Sequence, residues 1–236
     1  FNLTGRSPVF ASAGLYFGDP ALYKLYGSLG AASLAPHCVL EASGVDYEFV
    51  LVDISDDSER DPEYLKLNPH GRVPTLVMNG EIMMESAAIS MYLADKYPQA
   101  KMAPGLDDPL RWEYLQWSTY LTNTLQETML LKRYTSGYTT DSDTSAVSEC
   151  AASRLDHILG IIEDGLEKHD GPFFLGNSLS TPDVYLNMVL EWDPEIGAGA
   201  RERGEWPNIG SNYDALFTRE DIAGVLHQNG YPGPRG

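Results

Sequence analysis

Apolar positions follow two rhythms along this chain, short tight runs over the first hundred residues and helical spacing after them. Residues 22–26 form a brief apolar and aromatic run, Leu22-Tyr23-Lys24-Leu25-Tyr26, which enters the small-residue stretch Gly27-Ser28-Leu29-Gly30-Ala31-Ala32. Residues 34–42 then take helical spacing, so the reading is strand, loop, helix. Gly44-Val45-Asp46 breaks that helix, and Tyr47-Glu48-Phe49-Val50-Leu51-Val52 has the β-branched and aromatic content of a buried strand. A parallel βαβ unit is the economical arrangement. An acidic stretch over 53–61 leads to a short helix at 62–67, closed by Asn68-Pro69-His70-Gly71. Two apolar runs, 73–78 and 82–84, flank Asn79-Gly80-Glu81, and Asn-Gly between apolar runs is a strong hairpin signal. An amphipathic helix over 86–97 completes the order βαβαββα. The sheet must be mixed, because a hairpin reverses one strand.

That order is the arrangement of a thioredoxin-like domain, spanning 23–98. Pro98, Pro104 and Pro109, with Gly105-Leu106-Asp107-Asp108 among them, give the segment 99–109 the chemistry of a linker. From 110 to 236 no stretch reads as a strand, and an all-helical domain is expected. Trp112, Leu115, Tyr120, Leu125 and Met129 recur at helical spacing over 111–133, and Leu155, Ile158, Ile162 and Leu166 do so over 145–168. Residues 135–144, rich in Ser, Thr, Gly and Asp, read as the loop between them. Ser180-Thr181-Pro182-Asp183 opens 184–192 as a capping box, with Pro182 tolerated in a first turn whose amides have no intrahelical partner. Residues 1–22, beginning at Phe1, are set aside as an extension.

Composition narrows the function. A hydrophobic fraction of 43% suits a chain that buries a real core. No run approaches the ~20 apolar residues of a membrane span, and the first residues lack the basic start and apolar stretch of a secretory signal. Sixteen Lys and Arg against 34 Asp and Glu give a net charge of −18, which repels a phosphate backbone. Neither nucleic acid nor membrane is expected as a partner. Cys38 and Cys150 match neither a disulfide framework nor the paired spacing of a zinc site, and a reducing, cytoplasmic location is expected. His157 and His169 have no partner spacing that points to a metal.

Four segments together carry a family resemblance over 23–232: Lys24-Leu25-Tyr26-Gly27-Ser28 running into Ser33-Leu34-Ala35-Pro36-His37; Asn68-Pro69-His70-Gly71-Arg72-Val73-Pro74; Glu85-Ser86-Ala87-Ala88-Ile89; and the capping box from Ser180. In this order the chain resembles the glutathione transferase family, most closely its bacterial beta-like branch. The resemblance implies a homodimer, glutathione as co-substrate and no metal. It implies that the main chain of Val73, before Pro74, holds the cysteinyl unit of glutathione at a strand edge. That reading accords with the physics of an X-Pro edge, which offers unpaired backbone for β-augmentation. At the next helix start the amides of Ser86 and Ala87 and the Ser86 hydroxyl suit a carboxylate, and Glu85 suits an ammonium group; the γ-glutamyl end of glutathione carries both. The bland alternative is a plain helix cap. His70 and Arg72 flank the proline loop and offset negative charge on the ligand, or are simply solvated.

The chemistry such a site must perform is thiol activation. A thiol of pKa near 8.5 is only ~3% thiolate at pH 7, and lowering that pKa by ~2 units takes ~2.7 kcal/mol. Where the beta-like branch often places a cysteine this chain has Ala32, so thiol-disulfide exchange through that position is excluded. The remaining hydroxyl donors are Ser33, Ser28 and Tyr26. Ser33 is favoured, because it stands at a helix start where hydroxyl and first amides converge; an ordinary N-cap is its alternative. Trp117 and Tyr120 are candidates for an apolar second-substrate site, or are core; Asn123 and Gln126 are polar candidates on the same helix, Gln126 standing where beta-like relatives carry a histidine. The expected function is conjugation of the glutathione thiolate to a small apolar electrophile. The alternatives are a non-catalytic transferase-like binding protein and a glutathione-dependent peroxidase or reductase.

Overall fold

The computed structural model describes residues 23–56 and 60–234; the expected extension, 1–22, and part of the acidic stretch, 57–59, lie outside them. Strand β1 (Tyr23–Gly27) is followed by helix α1 (Leu34–Ser43), β2 (Tyr47–Leu51), α2 (Pro62–Leu67), β3 (Thr75–Met78), β4 (Glu81–Met84) and α3 (Ser86–Lys96). The sheet order is β2-β1-β3-β4, with β1 parallel to β2 and antiparallel to β3. This is the mixed four-stranded sheet expected from βαβαββα. Asn79 (φ 52°) and Gly80 (φ 81°) are both left-handed, as a two-residue type I′ hairpin between β3 and β4 requires. Along β1 burial alternates: Tyr23, Leu25 and Gly27 lie on the face covered by α1, while Lys24 and Tyr26 lie on the other.

The helical half consists of α4 (Arg111–Tyr120), α5 (Glu127–Arg133), α6 (Ser145–Glu167), α7 (Thr181–Leu190), α8 (Ala200–Arg203), α9 (Pro207–Leu216) and α10 (Glu220–Gln228). The single helix expected over 111–133 is helical throughout but passes through a π turn, Leu121–Gln126. Around it the hydroxyls of Ser118, Thr122 and Thr128 donate to carbonyls four residues back, a bond that competes with the helix ladder and loosens it. The segment expected to be a linker is tied down. Ala100 and Met102 are buried; the Met102 carbonyl accepts the Thr181 amide at 2.9 Å and the Ala100 carbonyl accepts Arg219 at 3.1 Å. Nearly all of α1 is buried, because it is wedged between α3 on one side and α7 and α10 on the other. One apolar cluster therefore runs unbroken from Leu25 and Leu34 to Leu186 and Leu226. Cys38 sits inside it as a small hydrophobe, its thiol pushed up by burial, and Cys150 is exposed. Among the described residues no helix is long and apolar enough to cross a membrane.

Candidate functional site

The loop from β1 to α1 is closed on itself. Ser33 is fully buried, and its Oγ accepts the Ser28 amide at 3.1 Å and donates to the Ser28 carbonyl at 2.8 Å. Gly27 is required for this closure, since a Cβ there would lie 2.6 Å from the Ser33 Cβ and 2.7 Å from the Phe49 ring. Ser33 does not cap α1 with its side chain, and its one hydroxyl proton is committed to the loop. The favoured sequence reading, a Ser33 hydroxyl aimed at a sulfur, is therefore corrected: Ser33 shapes the loop. Ser28 is half-buried, and its hydroxyl has no partner among the described residues. The helical half clamps the same loop from outside. The Gly30 amide donates to Asn229 Oδ1 at 3.1 Å, and Trp192 Nε1 donates to the Gly30 carbonyl at 3.1 Å. Neither residue was a sequence candidate, and separations of 199 and 162 residues leave no local signal.

The start of α3 meets this loop directly. Ser86 is buried and donates its hydroxyl to the Ala32 carbonyl at 2.6 Å. Glu85 is exposed and held at φ 73°, ψ 108°, a backbone region that costs a non-glycine residue on the order of 1–3 kcal/mol. No side chain caps the helix, so its first-turn amides stand free of a side-chain partner. Backbone strain of this kind collects at functional sites, and open first-turn donors suit an anion. The proline loop is shaped just as firmly. The Val73-Pro74 bond is cis. Tyr64 Oη and Asn68 Nδ2 donate to the Arg72 carbonyl at 2.5 and 2.7 Å, and Asn68 Oδ1 accepts the His70 amide at 3.0 Å. Buried Thr75 takes the other side of the same knot, with Tyr64 at 2.9 Å and Asn68 at 3.1 Å. Val73 is half-buried and the side chains of His70 and Arg72 are exposed.

Tyr26 is not brought to this junction. Its ring packs 5.8 Å from that of Tyr64 on α2, on the sheet face opposite the one that carries α1 and α3. Strand alternation carried the signal, since Tyr26 is out of phase with Tyr23 and Leu25. Trp117 is also core: it is buried, stacks on Phe174 at 4.4 Å, and presses so closely on Gly165 that a Cβ there would lie 2.2 Å from its ring. Tyr120 stands edge-on to Trp117 at 5.6 Å and is half-buried, whereas Asn123 is exposed on the π turn. A residue that sequence reading passed over, Tyr185 of α7, crosses to the site instead. Its hydroxyl donates to Gln126 Oε1, and Thr122, Ser86 and Glu85 all act on its ionisation. Burial pushes its phenol well above the usual range. The two halves of the molecule are thus joined at the α3 start. Among the described residues no group of three or more His, Cys, Asp or Glu is placed to hold a metal ion.

This geometry has close parallels. Residues 21–95 match the family model of the glutathione S-transferase N-terminal domain, and residues 129–229 match that of the C-terminal domain. The chain is 30% identical over 171 residues to glutathione S-transferase GstA of Escherichia coli O157:H7, covering 72% of this chain and 81% of that protein. It is similar in structure to a glutathione transferase from Methylococcus capsulatus, with a TM-score of 0.73, 30% identity, and coverage of 89% of this chain and 99% of the other. A sphingomonad glutathione S-transferase solved with glutathione bound gives a TM-score of 0.71 at 27% identity, over 88% and 98% of the two chains. With identity at this level sustained across most of each relative's length, the chain belongs to the glutathione S-transferase family.

Proposed function

We propose that the junction of the α3 start, the β1–α1 loop and the Val73 edge binds glutathione, and that the bound thiolate attacks a small electrophile with an apolar body. The observation that carries this reading is the α3 start, where strained, exposed Glu85 and buried Ser86 sit beside uncapped amides and reach the loop through the 2.6 Å Ser86–Ala32 bond. A carboxylate suits the amides and an ammonium group suits Glu85. The cysteinyl backbone pairs at Val73, ahead of β3, and His70 and Arg72 lie along the same loop for the remaining negative charge. With Ser33 committed to its own loop, the thiolate donor in this reading is the Ser28 hydroxyl. Residues 23–98 form the glutathione-binding unit, 99–109 the connection and 110–236 the unit that selects the electrophile. The fold works in the cytoplasm as a homodimer, a reading supported by the family and by exposed Ile82, Met84 and Trp112.

The test follows ultraviolet difference absorbance of protein-bound glutathione against pH. Wild-type protein is expected to lower the thiol pKa by ~2 units, and Ser28→Ala to give back ~1 unit while glutathione affinity stays within about threefold. A titration that Ser28→Ala leaves unchanged sinks the assignment of the donor. Absence of glutathione binding at millimolar concentration sinks the whole reading.

A further inference from the structure

A cavity of about 230 Å³ opens beside Trp192, lined by Met129, Lys132, Arg133, Trp192, Asp193 and Pro194. Its size is just under the ~300–1,000 Å³ of drug-sized sites, enough for one substituted ring. It abuts the candidate thiolate loop, because the Trp192 indole that walls it donates to the Gly30 carbonyl at 3.1 Å. Its chemistry is unusual for this chain. Net charge is −18, yet two adjacent cations, Lys132 and Arg133, face one carboxylate, Asp193, which is ion-paired to Lys132. Arg133 bonds only neutral oxygens among the described residues: it donates to the Trp192 carbonyl at 2.7 Å and the Tyr134 hydroxyl at 3.3 Å. Its charge meets no carboxylate among the described residues. Met129, Pro194 and the Trp192 ring supply the apolar walls.

We propose that this cavity is the second-substrate site and that it selects electrophiles carrying an anionic group, a carboxylate above all, placed against Arg133 with the flat apolar body against Trp192 and Met129. The proposal rests on the glutathione reading above and refines its substrate class. Both cations also stand in the last turn of α5, where they complement the helix dipole. That structural role requires charge but gives no preference between ligands. In the reaction the thiol proton leaves to solvent and the thiolate sulfur forms a C–S bond to the ring carbon. The C–Cl bond of an aryl chloride then breaks, its electron pair leaving with chloride.

The experiment compares 4-nitrobenzoate with its neutral isostere 4-nitrobenzamide, by calorimetry in the presence of saturating glutathione. Wild-type protein is expected to bind the carboxylate at least tenfold more tightly. Arg133→Gln is expected to erase most of that preference, and Arg133→Lys to keep much of it, since charge rather than a fork geometry is what the site offers. Turnover of 4-chloro-3-nitrobenzoate relative to the corresponding amide is expected to follow the same order in kcat/KM. Equal affinity of the wild-type protein for the two ligands overturns the proposal, and so does a preference that Arg133→Gln leaves intact. Loss of glutathione binding would sink the parent reading instead, and it is read in a separate titration.

Discussion

Helices α3 and α7 start with the same kinds of residue and reach opposite states. At the α7 start the polar groups are spent internally. Asp183 is fully buried and accepts the amides of Phe174 and Ser180 at 2.9 and 2.8 Å, the Ser180 hydroxyl at 2.9 Å and Asn212 Nδ2 at 2.9 Å. Burial pushes its carboxyl up to about 6 even so. At the α3 start Glu85 is exposed, its backbone is strained, no side chain caps the helix, and Ser86 spends its hydroxyl on another element. A pair of acid and hydroxyl residues before a helix therefore says little by itself. What separates a structural cap from a binding site is whether the donors have already been used.

The sharpest way to break this contrast is at α7. Asp183→Ala leaves the Phe174 and Ser180 amides buried without an acceptor, takes from Asn212 Nδ2 one of its two acceptors, the Pro172 carbonyl remaining, and opens a cavity in a helix packed on all sides. A loss of about 4 kcal/mol is expected from a broken buried network, measured by urea unfolding at pH 7. A loss below about 1 kcal/mol would show that water or a shifted partner replaces the carboxylate, and the α7 start would no longer be the closed member of the pair.

His37 stands between the two cases. Its Nε2 lies 2.9 Å from the Tyr47 hydroxyl, its Nδ1 is buried without a partner among the described residues, and its ring stacks on Phe49 at 4.5 Å. Burial lowers its pKa from 6.5 to about 4, so the fold favours the neutral ring. That contribution is whole above the unfolded value, is lost as pH falls from 6.5 toward 4, and is flat below. Between pH 7 and pH 5 it amounts to about 2 kcal/mol. Acidification also relieves repulsion in a chain of charge −18, so the comparison is with His37→Gln. The wild-type protein is expected to lose about 2 kcal/mol more than the variant over that interval in paired denaturant titrations. Parallel stability curves would mean that the ring has the same pKa folded as unfolded, its Nδ1 having found an acceptor that offsets the burial.

How far the sequence anticipated these outcomes depends on the range of the contact. The Asn79-Gly80 hairpin, the Ser180–Asp183 cap and the βαβαββα order were legible because turn chemistry, capping and periodicity act within a few residues. The meeting of Ser86 with the β1–α1 loop was legible only through the family resemblance, since the two lie 54 residues apart. Ser33 was misjudged because a hydroxyl beside a helix looks the same whether it faces a ligand or bends back to Ser28; only the Gly27 contact, absent from any periodicity, forces the second. Trp117 shares its spacing with true core positions, and helical periodicity identifies the buried face without saying what fills it. Trp192 and Asn229, which hold Gly30 from the other half of the chain, had no local mark at all.

The open member of the pair can be tested for the strain it holds. Glu85 keeps φ 73° with a Cβ attached, and removing that Cβ is expected to stabilise the fold by about 0.5–1 kcal/mol, the strain relief being partly offset by the entropy of glycine in the unfolded chain. Glu85→Ala supplies the control, because it removes the same carboxylate while keeping the Cβ. Both variants are expected to bind glutathione about tenfold more weakly, from loss of one charge-assisted bond to the ammonium group. Only Glu85→Gly is expected to gain stability. Equal stability of the two variants in urea would mean that this backbone region carries no penalty here. A gain confined to glycine, at the expense of affinity in both, would mean that the α3 start trades stability for a carboxylate held where the ligand needs it.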